Sequence, residues 1–115
     1  MQYLLLIYSA ESQWQGLAEP EKQKIYQRYG ELVQDLQKTG KHRGGHELQP
    51  ISAATTVRVR GGKKLVTDGP FAETKEQLGG YFLVEAKDLD EALAIAARIP
   101  SVETGSIEVR PVVER

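Results

Sequence analysis

Six consecutive apolar residues, Tyr3-Leu4-Leu5-Leu6-Ile7-Tyr8, constrain this fold more than any other segment. The run is too short for the apolar stretch of a secretion signal and far too short to cross a bilayer. It suits a strand. Side chains of a strand alternate between faces, so apolar residues at every position require cover on both sides. Tyr81-Phe82-Leu83-Val84 makes the same demand. Thr55–Arg60 and Ser106–Arg110 alternate instead, as expected of strands covered on one face. The pattern predicts a sheet with two central, wholly apolar strands and two alternating edge strands.

The segments between the strands supply helices. Glu19-Pro20-Glu21 places Pro and two carboxylates in a first helical turn, and Ile25, Tyr29, Leu32, Val33 and Leu36 follow at helical spacing before Gly40. Asp88, with Glu91 three residues on, predicts the start of a second helix with inner face Leu89, Ala92, Leu93, Ala96 and Ile99, ended by Pro100. Ser9–Leu17, which holds the lone Trp14, reads as irregular, and the glycine-rich His42–His46 segment reads as a loop. Gly61-Gly62 predicts a two-residue hairpin from Thr55–Arg60 into Lys63–Thr67. Gly79-Gly80 reads as a close backbone approach where the strand ending at Ala86 begins. The expected fold is α+β, a ferredoxin-like β-α-β-β-α-β antiparallel sheet with Lys63–Thr67 as an added hairpin strand, in one domain over residues 1–115.

Two helices cover one sheet face, which leaves Leu4, Leu6, Tyr8, Tyr81 and Leu83 in need of a second layer. A second copy of the chain is the simplest source, so a homodimer is expected. The formal charge of −1 gives no overall field to attract nucleic acid or an anionic membrane, and neither is expected as a partner. With no cysteine, disulfides, thiol nucleophiles and thiolate metal sites are excluded, in keeping with a cytoplasmic protein. No nucleotide-binding loop, nucleophile elbow or metal-ligand spacing is present, and no cofactor or metal is expected.

His42 and His46 are the only side chains that ordinarily titrate near neutrality, and His46, close to Leu48, is the preferred acid/base candidate. Asp68 begins the turn Asp68-Gly69-Pro70-Phe71, where its carboxylate either holds the turn by accepting backbone N–H groups or serves a ligand. Arg58, chosen over Arg60 and Arg110 because Val57 and Val59 flank it, is the candidate clamp for a small anionic ligand. Tyr8 and Tyr81 present hydroxyls near the sheet-to-sheet cleft, and Glu73 and Lys75 are candidates for its mouth.

The string from Val66 to Ala86, together with Leu48-Gln49-Pro50, Thr55–Arg60, Asp88–Ala92 and Glu108-Val109-Arg110-Pro111, resembles the DGPF branch of the YCII-related proteins. The resemblance spans nearly the whole chain. It implies a dimeric α+β barrel and a functional link to an extracytoplasmic-function sigma factor. The other branch of that family pairs a His with an Asp in a pocket. Here the first helix offers Tyr26 and Tyr29 in place of the His, and Ile99-Pro100-Ser101 stands where the Asp would be sought, so that dyad does not carry over. Three functions follow as alternatives: a homodimeric small-molecule-binding or regulatory domain, a cofactor-free acid/base enzyme using Asp68 and His46, and a purely structural dimer module.

Overall fold

A computed structural model describes all residues from Met1 to Arg115. Six strands, three α-helices and two short 3-10 turns follow in the order β1 (Gln2–Ser9), α1 (Glu11–Gln15), α2 (Glu19–Lys38), β2 (His42–Glu47), β3 (Thr55–Arg60), β4 (Lys63–Asp68), β5 (Gln77–Glu85), α3 (Leu89–Ala96) and β6 (Ser106–Pro111). Four strands form an antiparallel sheet in the order β2-β5-β1-β6, while β3 and β4 form a separate two-stranded sheet. The architecture is α+β. Within the larger sheet, the connectivity β1-α2-β2-β5-α3-β6 has the ferredoxin-like order.

The two wholly apolar runs are the central strands β1 and β5, as their composition demands. Their odd and even positions part cleanly. Tyr3, Leu5, Ile7, Phe82 and Val84 are buried in one cluster with Leu32 and Leu36 of α2 and with Ala92, Ile95, Ala96 and Ile99 at and beyond α3. Both helices therefore lie on one face. Leu4, Leu6, Tyr81 and Leu83 occupy the other face and stay half-exposed.

One edge of this sheet differs from the sequence reading. Thr55–Arg60 is not the second strand of the sheet; His42–Glu47 is, although its glycines suggested a loop. Glycine is depleted in strands, yet here it is required: a Cβ on Gly45 would meet Phe82 Cδ1 at 2.6 Å and the Tyr81 carbonyl oxygen at 2.7 Å. Alternation in Thr55–Arg60 does not signal one buried face, because Val57 and Val59 are both exposed. Gly61 and Gly62, at φ +55° and +76°, do make the expected two-residue turn of this hairpin.

Helix α2 ends as its sequence indicates. Gly40 at φ +71° lets the Lys41 N–H reach the Leu36 carbonyl at 2.8 Å and the Gly40 N–H reach Gln37, a Schellman closure. Asp88 caps α3 by accepting the Glu91 N–H at 2.9 Å, and the Glu91 carboxylate reaches back to the Lys87 N–H. The inner stripe of α3 is rotated from expectation: Ile95 is buried, whereas Leu89 and Leu93 face outward. Trp14 lies in helix α1, not in an irregular segment, edge-on to Tyr26 at 5.3 Å with the Lys22 ammonium over its ring.

Candidate functional site

The exposed face of the four-stranded sheet gathers more of the candidate residues than any other surface. Along β1, Leu4 stands opposite Leu83 and Arg110, and Leu6 opposite Tyr81 and Glu108. On the far side of β5, His46 stands opposite Tyr81. Residues directly opposite in antiparallel strands share a face, so these side chains form an apolar floor with His46 on one rim and Glu108 and Arg110 on the other. The His46 ring meets Tyr81 edge-on with centroids 5.9 Å apart. Arg110 Nε lies 2.8 Å from the Glu108 carboxylate in an ion pair, so the cation of that rim is already paired.

Two bulges decide which residues reach this face. The register of β2 slips at Arg43, so His42 pairs with Val84 on the core side and its ring meets Phe82 edge-on at 6.2 Å. Without that slip, histidines four apart on a strand would share a face. The second bulge lies at Gly79, where Ile7 pairs with Gly80 but Tyr8 pairs with Leu78. A Cβ on Gly80 would meet the His46 carbonyl oxygen at 2.9 Å, the close approach the Gly79-Gly80 pair suggested. Tyr8 lies half-buried at the end of the face, opposite Ser106. Ser106 in turn donates to Glu76 at 2.9 Å, which ties the 69–76 connection to this end of the sheet.

The other candidates stand elsewhere in the chain. Asp68 closes β4 opposite Thr55, on the separate hairpin, and no hydrogen bond joins it to His46. The turn after Asp68 is held by other groups: the Gly69 N–H donates to Ala54, Thr56 Oγ1 donates to the Gly69 carbonyl, and Arg58 donates to the Phe71 carbonyl at 3.3 Å. The Asp68 carboxylate takes no part. Arg58 is half-buried on β3, and Glu73 and Lys75 are exposed in the connection to β5. One chain thus unites His46, Tyr81 and Tyr8 on a sheet face and keeps Arg58 and Asp68 apart from them.

Sequence reasoning did not anticipate the polar contacts around α2. Tyr29 is linked to Ser101 at 2.6 Å, and burial raises the Tyr29 phenol above its ordinary value, the Ser101 hydrogen bond partly opposing this. Tyr26 donates to Glu47 at 2.9 Å, and its phenol is also raised, by partial desolvation first and then by that carboxylate. Only the fold brings together positions 72 residues apart, so no local signal marks the Tyr29–Ser101 pair. Glu11 is a second such tie: its carboxylate accepts the Ile51 N–H, and its own N–H donates to Gln77.

Two shallow depressions of about 490 and 290 Å³ lie on the helical side, lined by residues such as Lys41, Asp88, Glu91, Arg28 and Arg98. Neither includes a candidate residue. No group of three or more histidines and carboxylates is close enough to hold a metal ion. No helix is long and apolar enough to cross a membrane.

Fold and surface define a small α+β protein with one helix-covered sheet face and one open face. Its sequence matches the YCII-related domain over residues 1–115, and the chain belongs to that family. It is 38% identical over 113 residues to an uncharacterized protein of Rhizobium meliloti, a match that covers 96% of this chain and 91% of the relative.

Proposed function

We propose that two copies pack their open sheet faces together as a dimeric α+β barrel, and that the cleft between the sheets binds a small anionic molecule. One observation carries this reading. The chain exposes 8106 Å², where a compact monomer of its mass exposes about 6,300 Å², an excess of roughly 1,800 Å². Obligate homodimers bury ~1,000–2,500 Å² per partner, so the excess is of the size a second copy removes. The apolar floor of Leu4, Leu6 and Leu83 is where such a layer gains most, at roughly 25 cal/mol for each Å² of apolar surface covered.

In this arrangement His46, Tyr8 and Tyr81 line the cleft, Arg58 supplies the cation for the ligand, and Glu73 and Lys75 stand at its mouth. Ligand binding is favoured over acid/base catalysis because Asp68 and His46 occupy different sheets, and proton transfer requires hydrogen-bond reach or one bridging water. A regulatory task in the cytoplasm beside an extracytoplasmic-function sigma factor, and membership of the DGPF branch, belong to this reading on resemblance alone.

A melting screen tests it directly. Simple carboxylates, aromatic carboxylates, inorganic phosphate and sugar phosphates are added to the full chain at millimolar concentration. A compound present at a hundred times its Kd stabilises the fold by about 2.7 kcal/mol, and His46→Ala or Arg58→Ala removes the shift. If no compound raises Tm, the protein is a structural dimer module.

A further inference from the structure

The hairpin of β3 and β4 stands apart from the body of the molecule. Its two strands pack on each other, and neither packs extensively on any other helix or strand. The radius of gyration is 16.1 Å, against about 13 Å for a compact chain of this length. A two-stranded ribbon without further cover is at best marginally stable in water. Yet Val57 stands opposite Val66, and Val59 follows on the same face, all three about 60% exposed at 61%, 60% and 62%. Phe71, just beyond the ribbon, is 79% exposed. Contiguous apolar surface of this kind marks a contact site.

Resting on the dimer proposed above, we infer that this ribbon is an arm that packs its Val57, Val59 and Val66 face against the second copy of the chain. Area is the first ground, since the excess surface described above includes a ribbon whose Val57, Val59 and Val66 face stays exposed within its own chain. Charge is the second. Residues 55–68 carry Arg58, Arg60, Lys63 and Lys64 against Asp68 alone, a net of +3, which leaves the rest of a chain of net −1 at −4. Two copies that exchange arms set opposite charges together, and the contact is self-complementary as a two-fold axis requires. A nucleic acid would engage the cations but leave the valine face wet, so a protein surface fits this ribbon better.

Sedimentation equilibrium on the full chain tests the arm against the sheet face. Val57→Lys with Val66→Lys alters only side chains that are exposed within one chain, and circular dichroism verifies that the variant folds. Its dimer is expected to dissociate at least a hundredfold more readily than the wild type. Because the natural chain has no cysteine, Val59→Cys gives a second readout that needs no destabilised variant: its reaction with a maleimide slows tenfold or more above the dimer midpoint. A Leu6→Glu chain that is monomeric while the lysine variant dimerises as tightly as wild type overturns the arm and spares the face-to-face dimer. A dimer lost only in the lysine variant keeps the arm and overturns the face-to-face packing. A wild-type protein that is monomeric throughout overturns both. Binding of a short DNA duplex that Arg58→Glu with Arg60→Glu abolishes, with dimerisation unchanged, assigns the ribbon to nucleic acid and overturns the arm.

Discussion

Gly44 and Gly45 are neighbours in β2 with opposite surroundings. A Cβ at Gly44 meets nothing within 4 Å, whereas one at Gly45 runs into the Phe82 ring and the Tyr81 backbone. Gly45→Ala is therefore expected to lower stability by about 1–3 kcal/mol, and Gly44→Ala to change it by less than about 0.5 kcal/mol, in urea unfolding. Equal effects would contradict the placement of β2 against β5. Tyr29 allows a prediction with pH. Burial raises its folded pKa above the ordinary tyrosine value, so the fold holds the phenol proton more tightly than the unfolded chain does. The resulting stability is fully present below about pH 10 and is lost as pH rises through the raised folded value. Urea titrations from about pH 8 to about pH 11 should show a smaller alkaline loss in Tyr29→Phe than in wild type. Near neutrality that variant costs about 1 kcal/mol, the net worth of the bond to Ser101.

Helices and strands differ in how openly their sequences declare them. Helix α2 announces both ends, through Pro20 with its flanking carboxylates and through Gly40, because caps are local chemistry. Strands β1 and β5 are declared by unbroken apolar runs, the composition of the centre of a sheet. The edge strand β2 was illegible because the feature that fits it to Phe82, a missing side chain at Gly45, is the feature that ordinarily argues for a loop. Its bulge at Arg43, which sends His42 and His46 to opposite faces, leaves no trace in residue types. The candidate site was legible in part for the same reason. Tyr8 and Tyr81 follow from strand alternation, but the company of His46 on that face depends on register. Two substitutions test the elements. Asp88→Ala removes the α3 cap and should cost about 1 kcal/mol. Leu36→Ala, at a position only 1% exposed between α2 and the sheet, should cost about 2–5 kcal/mol. Both are read from chemical unfolding, and a Leu36→Ala cost below 1 kcal/mol would mean that α2 does not seat on this face.

At the scale of the whole molecule, a chain of 12.8 kDa with 14 buried residues has little core to stand on alone. Its open sheet face and its projecting ribbon present apolar surface that folding within one chain leaves uncovered, and the second copy proposed above would cover both. On that proposal stability depends on protein concentration, because a folded dimer and an unfolded monomer are linked by mass action. Sedimentation equilibrium of the wild-type protein, from nanomolar to high micromolar concentration, is the most direct test. The expected result is a species of twice 12.8 kDa that dissociates only on dilution. A folded 12.8 kDa monomer at every concentration would contradict the dimer and the cleft with it.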